Sequence, residues 1–435
     1  MLLSVEHVVL IEVFSATLFS LVSTLIVLRN RLQARIIYGT MLVLMLINAL
    51  CLALNPQIAH ARGEFNVSGV RTWTVDDDGP ADFHMIQEAI NAANNGDTIF
   101  VKNGMYYEHL DANKTLMLIA ESKNKSIVDA GFTGTAMNIT ANGAWIDDLT
   151  IRNAAQNAMS IFGDNNRISG VTIYSTAQGG LPKHQTGIDI HSSGNIVEKC
   201  AIFDSQYAGI AITVSPNDSK DVSNNKITGN EIALGANGIV LWDWEILSSS
   251  SVYDNRIIGN TIHDNHNSAV GIYLHMTYAN TVAYNVVLNN DGGICLDDSF
   301  SASGSGNAIH HNSFVNNTLN VVGTVGSSNN TWDDGSEGNY WSDYTGKDAN
   351  SDGIGDSAYI LDEQNRDNYP LMRVLMQGDA NHDGIVNIGD VSLFVLSWLS
   401  RKGEPRYNSH VDFNLDGAVN INDAAVMGAN WQKRG

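Results

Sequence analysis

Between Gly187 and Asn317, apolar and polar residues alternate in short runs, and the runs repeat as one phrase. Its first half is Gly-Ile-x-apolar. It starts at Gly187, Gly209, Gly238, Gly271 and Gly293, with successive starts 22, 29, 33 and 22 residues apart. Its second half is Asn-x-apolar-x-x-Asn-x-apolar, starting at Asn225, Asn255, Asn280 and Asn307. Short alternating strands separated by turns, at a period in the twenties, predict a solenoid. The unequal spacing predicts loops inserted at one corner.

Alternation sends Ile188 and Ile190 to one side and Asp189 and His191 to the other. Such strands are too short to stand alone. Stacked at ~4.8 Å per rung, they form parallel sheets around an aliphatic core. The recurring Asn falls where the chain must bend. Its amide can bond the equivalent Asn above and below, which predicts internal Asn ladders. Weaker copies of the phrase begin at Ala136 and Ala158. Upstream, Asp82–Ala93 has helical spacing, with Phe83, Ile86, Ala89 and Ile90 on one face. Asn94-Asn95-Gly96-Asp97 ends this helix, and Thr98–Val101 begins a strand. A helix here would cap the open end of the solenoid.

The N-terminus carries two apolar runs, Val8–Leu28 and Ile36–Leu54, separated by Arg29, Arg31 and Arg35. The second run with Ala59-His60-Ala61 reads as a secretory signal. The first is either an extra membrane helix or sequence upstream of the true start. The expectation is an exported protein, extracellular or at the cell surface, anchored in the membrane by these segments if they are not cleaved.

Composition supports the turn-rich reading. Of 435 residues, 39 are Gly, only 6 are Pro, and 16% are charged. The net charge of −22 argues against nucleic acid as partner and suits a divalent-cation binder. Cys51 lies in the apolar leader. Cys200 and Cys295 fall four rungs apart, roughly 19 Å, which predicts no intramolecular disulfide.

The C-terminus carries the most specific chemistry. Two loops repeat one ligand pattern, Asp379, Asn381, Asp383, Ile385, Asn387 and Asp390, then Asp412, Asn414, Asp416, Ala418, Asn420 and Asp423. Oxygen donors stand at loop positions 1, 3, 5, 9 and 12, Gly stands at 6, and position 7 offers its carbonyl. This is the EF-hand arrangement for Ca²⁺, and it predicts two sites. Helical stripes follow each loop, Val391, Phe394, Val395 and Trp398 in the first and Ala424–Trp431 in the second. A third stretch, residues 348–356, repeats three donors as Asp348, Asn350 and Asp352, which makes it a further candidate for Ca²⁺.

Alternation also gives the solenoid an outward strip. One column holds Ser160, Asp189, Ala211, Val240, Tyr273 and Cys295. The next holds Phe162, His191, Thr213, Trp242, His275 and Asp297. Asp243, Trp244, Glu245 and Asp298 begin the adjoining loops. Aromatic faces suit sugar rings, and acids bond hydroxyls, so the strip suits an extended polysaccharide. The alternative is an ordinary solvated face. Substrate contacts are expected from His191, Trp242, Trp244, Glu245, Tyr273, His275 and Asp298. If the strip is catalytic, glycoside hydrolysis needs two carboxylates, and Asp243 with Asp297, two rungs apart, come near the spacing of inverting enzymes. Asp189 lies further off. A lyase would need a cation in the strip. The nearest, Lys183 and Arg256, fall outside it, so hydrolase is favoured over lyase.

Asp82-Phe83…Ile86-Gln87…Ala89-Ile90…Gly96-Asp97-Thr98-Ile99…Gly104-x-Tyr106 resembles the start of pectin-lyase-like right-handed β-helix proteins. The rungs, with Gly338–Tyr344 and Arg366–Leu371, look like the NosD-type branch. This resemblance implies a mainly β fold, a single-stranded right-handed parallel β-helix with an N-terminal cap helix. The fold hosts lyases, hydrolases, binders and inert stalks, so it implies no single activity. The paired C-terminal loops resemble a small all-α type I dockerin. That implies Ca²⁺-dependent folding and docking onto a cohesin of a scaffold protein. In that family, loop positions 10 and 11 set specificity, here Ile388-Gly389 and Ile421-Asn422.

The expected organisation is leader 1–61, cap and first rungs 62–131, β-helix with NosD-like tail 132–373, and dockerin 374–435. The function expected is a cohesin-docked protein that binds or processes extracellular polysaccharide. The alternatives are a non-catalytic surface spacer or adhesion protein, and a NosD-type copper handler. For copper, His263 and His266 could converge at a turn, whereas adjacent His310 and His311 should point to opposite faces.

Overall fold

The computed structural model describes residues 69–175, 185–214, 220–243, 251–266, 268–297, 306–325, 329–381 and 385–432. Both N-terminal apolar runs lie outside the described residues, and so do Lys183, Trp244, Glu245, Asp298 and Asp383. Among the described residues, no helix is long and apolar enough to cross a membrane. Val70–Gly435 forms one compact unit, and everything below lies within it.

The fold is mainly β, three parallel sheets wound as a right-handed β-helix. Among the described residues they have ten, nine and ten strands. One rung runs Thr186–Ile190, Ile196–Glu198, Ala201–Phe203, and the next begins at Ala208–Thr213. The Gly-Ile strands form the nine-stranded sheet, in the register that alternation predicts. Ile188 pairs with Ile210, Ile210 with Ile239, Ile239 with Ile272, and Ile272 with Ile294, all buried. The repeated Gly has a packing cause. A Cβ at Gly209 would lie 2.2 Å from Ile232 Cγ2, and one at Gly238 would lie 2.3 Å from Ile262 Cγ2. These glycines let the strand lie directly over an inward Ile of the same coil.

The corners are made by Asn. Asn225 Nδ2 donates to Asn255 Oδ1 at 3.0 Å, and the chain of amides continues through Asn280, Asn307 and Asn330. A second ladder runs Asn230, Asn260, Asn285, Asn312 and Asn339. Each amide oxygen also accepts from the backbone N–H of the Asn in the preceding rung, as Asn285 Oδ1 does from Asn260 at 2.9 Å. The residue before most ladder Asn is left-handed, for example Asp254 at φ 52° and Gly259 at φ 67°. A third ladder, Asn265, Asn290 and Asn317, was not anticipated. The signal for it is a five-residue spacing that simply continues: Asn255, Asn260, Asn265, then Asn280, Asn285, Asn290.

The cap helix, α1 (Ile86–Ala92), is shorter than the predicted span. Phe83 lies before it and pairs with Val75, while Ile86, Ala89 and Ile90 are buried as expected. Its N-cap, Met85, offers no side-chain bond. The carboxylate of Glu108 does this work, accepting from Ile86 N at 2.7 Å and Gln87 N at 2.9 Å. At the far end, Trp341 stacks on Phe314 with centroids 4.6 Å apart and donates Nε1–H to Asp367 at 2.9 Å. Asp367 thereby closes the last rung.

The C-terminal segment packs its own small core around Val386, Phe394, Val411, Phe413 and Val419. Helix α2 (Ile388–Ser397) and helix α3 (Ile421–Ala429) begin with capping boxes, Asn387 with Asp390 and Asn420 with Asp423. The last ligand of each loop thus also starts a helix. Among the described residues, Cys200 and Cys295 form no disulfide. Cys51 is not among them.

Candidate functional site

The outward face of the Gly-Ile sheet brings both predicted columns into register. Ser160 pairs with Asp189, Asp189 with Ala211, Ala211 with Val240, Val240 with Tyr273 and Tyr273 with Cys295. In the neighbouring column Thr213 pairs with Trp242, Trp242 with His275 and His275 with Asp297.

Two polar clusters flank an aromatic centre. In the first, His191 Nε2 lies 3.0 Å from Asp189 Oδ2, and Phe162 stacks on the imidazole at 5.1 Å and 8°. Thr213 Oγ1 bridges to Asp189 and His191 Nδ1, both at 3.2 Å, and Asn157 Nδ2 donates to Asp189 at 2.9 Å. In the second, Tyr273 donates its hydroxyl to Asp297 at 3.3 Å, and His275 Nδ1 lies 3.5 Å from the same oxygen. Burial holds the His275 imidazole below its ordinary range, partly offset by Asp297. Burial first, then Asp297, pushes the Tyr273 phenol up. Between them, Trp242 packs on His275 at 4.1 Å and edge-on to Tyr273 at 5.5 Å. Trp242 and Tyr273 pack over the buried side chains of Ala208, Ala211 and Val240, so this stretch has an aromatic floor. Tyr207, whose phenol is raised by partial burial and then by Asp189, joins this strip. Neither Tyr207 nor Asn157 was picked out from the sequence, because both sit in the turn before a strand, outside the alternating positions.

Asp243 is a correction. It is not part of the outward strip. Alternation about outward-facing Trp242 turns it inward, where it is 1% exposed and accepts from Val252 N at 3.2 Å. It ties the return of the inserted loop to the strand it left. Without it, the described carboxylates of the strip are Asp189 and Asp297, four rungs apart. That is roughly 19 Å, well outside the 6.5–9.5 Å of an inverting pair.

The histidines also depart from expectation. His263 turns to Asp264 at 2.8 Å and Glu231 at 3.4 Å, while His266 turns to Asp291 at 3.1 Å. They face different carboxylates instead of converging. His310 and His311 do meet, Nδ1 to Nδ1 at 2.6 Å, with His311 Nε2 on Glu337 at 2.9 Å. The alternation argument failed because the strand ends at His310, and His311 is the left-handed corner residue, at φ 58°. Burial, then the neighbouring His311, pushes His310 down to about 4. A folded-state value below the unfolded one means that the unfolded chain binds the extra proton first. The contribution is whole above pH ~6.5 and is lost as the pH falls towards 4. Thermal melts of the wild type and of His310→Gln are therefore expected to differ in acid sensitivity, the variant losing less between pH 7 and 4.5. Equal losses would exclude this histidine.

The oxygen-rich loops are the other candidate. In the second loop Asp412 Oδ1 and Oδ2 accept from Asp416 N at 3.1 Å and Gly417 N at 2.9 Å, and Asp416 Oδ1 accepts from Ala418 N at 2.9 Å. Asp423 closes the loop by accepting from Asn414 N at 3.2 Å and Asn420 N at 2.9 Å. Asp412 and Asp423 are buried. Burial, together with the repulsion of Asp412 and Asp416, raises Asp423 to about 6. An all-oxygen donor set holding crowded, desolvated carboxylates fits Ca²⁺, which would relieve that repulsion. The first loop shares the closing bonds, Asp390 accepting from Asn381 N at 3.0 Å and Asn387 N at 2.7 Å. The third stretch repeats the opening bonds of the second loop. Asp352 N and Gly353 N donate to Asp348, and Ile354 N donates to Asp352, at 3.1, 3.0 and 2.9 Å. It is closed by Asp356, which accepts from Ala349 N at 2.9 Å. Ile388 and Ile421 are exposed at the first turns of α2 and α3. Gly389 N and Asn422 N donate to the capping Asn side chains.

Comparison with known proteins agrees with both halves. The family model described as periplasmic copper-binding protein (NosD) matches residues 90–346, and that of the dockerin type I domain matches residues 377–430. A "Probable ABC transporter binding protein NosD" of Stutzerimonas stutzeri is 28% identical over 193 residues, covering 43% of this chain and 33% of that protein. Its namesake from Pseudomonas aeruginosa is 31% identical over 157 residues, 35% of this chain and 28% of that protein. The chain thus spans about a third of the length of these curated relatives. Among solved structures, the pectate lyase Pel9A aligns with a TM-score of 0.44 at 16% identity, over 67% of this chain and 84% of that one. The A-module of the Azotobacter vinelandii mannuronan C-5 epimerase AlgE6 aligns at 0.34 and 11%, over 56% and 91%. With more than half of its length matched, the chain belongs to the NosD family, and it ends in a type I dockerin domain, a calcium-binding module whose partner is a cohesin.

Proposed function

We propose that this is an exported protein that docks onto a cohesin-bearing scaffold through its Ca²⁺-loaded C-terminal domain and binds extended polysaccharide along its β-helix. The observation that carries the second half is the aromatic floor of Trp242 and Tyr273 between the Asp189–His191 and His275–Asp297 clusters. Flat apolar faces flanked by acids and hydroxyls match the two sides of a sugar ring. The carboxylates of the two clusters lie roughly 19 Å apart, which suits several consecutive residues of one chain. The spacing of the described carboxylates supports binding over hydrolysis. Calcium in the loops that begin at Asp379, Asp412 and Asp348 belongs to the same reading.

The test is a panel of plant and microbial polysaccharides, with binding isotherms and analysis of soluble products. Binding without products is expected, and Trp242→Ala should weaken it about tenfold, ~1.4 kcal/mol. If nothing in the panel binds, the β-helix is a spacer. Copper handling is the second reading, and membership of the NosD family favours it. If it holds, titrating copper should give a defined stoichiometry that His310→Ala and His263→Ala reduce.

A further inference from the structure

The dockerin does not sit apart from the β-helix; its second repeat lies against the flank formed by the first ladder sheet. Lys226 and Arg256 are register partners on adjacent rungs of that sheet. Arg256 Nη2 donates to Asn414 O at 3.2 Å and to Leu415 O, inside the second loop. The carboxylates around this pair are Asp412 and Asp416 of the loop towards Arg256, and Asp416 and Asp423 of the loop, with Glu198 of the neighbouring rung, towards Lys226. A second contact holds the linker. Gln377 donates to Phe413 O at 2.9 Å, and its side-chain amide lies over Gly259, where a Cβ would come within 2.5 Å of it. A third runs through Glu337, 2.9 Å from His311 on the β-helix and 3.8 Å from His410 just before the loop. These three contacts come from different parts of the chain and converge on one repeat.

The consequence follows from the internal symmetry of the domain. The outer stripe of the first repeat is Ile388, Ser392, Leu396 and Leu399, all exposed. The equivalent stripe of the second, Ile421, Ala425, Ala429 and Gln432, is exposed as well. Ala425 and Ala429 look into a cleft of about 740 Å³ whose opposite wall includes Arg167, Glu198 and Lys226. Both stripes are open to water, but a bulky partner approaching Ala425 and Ala429 would meet the opposite wall of this cleft on the β-helix.

We propose that the second repeat is a bound ligand of its own β-helix, held by Lys226 and Arg256, so that a cohesin engages this domain through the α2 stripe alone. This rests on the dockerin reading above. Attraction between the basic pair and an acidic loop also makes the clasp sensitive to salt.

Single cysteines at position 396 (Leu396→Cys) and 429 (Ala429→Cys) in the full chain, in Ca²⁺, test it through their rates of reaction with a bulky polyethylene glycol maleimide. The expected result is that Leu396→Cys reacts at least about tenfold faster, and that the difference collapses when Lys226→Ala and Arg256→Ala are added. Equal rates in the native background, or a difference that survives the double substitution, overturn the proposal. Ca²⁺ titration of the tryptophan fluorescence of the same proteins separates the two readings. A response to Ca²⁺ with equal labelling rates removes only the clasp. No response to Ca²⁺ removes the dockerin reading, and the clasp with it.

Discussion

Chelating Ca²⁺ should unfold the C-terminal domain and leave the β-helix intact. The second loop alone brings Asp412, Asp416 and Asp423 together, two of them buried. Without a cation their repulsion opposes the fold, and the small core around Phe394 and Phe413 has little area with which to resist it. A ligand present at a thousandfold its dissociation constant contributes about 4 kcal/mol, which is most of what so small a domain has. The loss is expected as a red shift and weakening of Trp398 fluorescence, since that ring is partly buried and 5.2 Å from Phe394. The three-sheet signal in circular dichroism should persist. Calorimetry adds a count. If residues 348–356 bind as their bonds suggest, three Ca²⁺ are taken up and Asp352→Asn removes one. Two in both proteins would confine calcium to the dockerin. Unchanged fluorescence after chelation would remove calcium from the account of folding.

The second large effect is expected at the ladders. Asn260 is buried, with its Nδ2 donating to Asn285 Oδ1 at 2.9 Å and to Ile227 O at 3.0 Å. Its Oδ1 accepts both from Asn230 N at 3.0 Å and from Asn230 Nδ2 at 2.9 Å. Asn260→Ala leaves Ile227 O and Asn230 N desolvated and unpaired, each costing ~1–3 kcal/mol, with a cavity beside them. A loss of about 3–5 kcal/mol is expected in urea unfolding. Because rungs contact only their neighbours, the break should also split one transition into two. The control is Thr228→Ala on the outer face two residues before Asn230, expected within about 0.5 kcal/mol. A loss below about 1 kcal/mol at Asn260 would mean that the ladder is ornament and the Ile columns alone hold the coil.

Much of the strip could be placed from the sequence because a strand's faces alternate whatever lies beyond it. Asp189, Tyr273 and Cys295 fell into one outward column, and Trp242, His275 and Asp297 into the next, as the register has them. The errors cluster where the strand stops. Asp243 is one residue past the end of Asn237–Trp242, and its side chain went to the returning loop. His311 is one residue past Ala308–His310, and a left-handed backbone turned it back onto its neighbour. Tyr207 and Asn157 lie just before strands, where alternation likewise assigns no face.

The sequence by itself determined the coil. Inward Ile columns, corner Asn and loop ligands at fixed spacing are local patterns, each satisfied within a rung or a twelve-residue loop and repeated until no other register fits. Only the tertiary structure decided what those patterns meet. It put Glu108 on the first turn of a helix some twenty residues upstream, Asp367 on Trp341, and Arg256 on the carbonyls of a loop more than 150 residues away. These partners are single charged or amide groups with no periodicity to announce them. What selects them is the need of a buried donor or acceptor to find a match once the chain has closed around it.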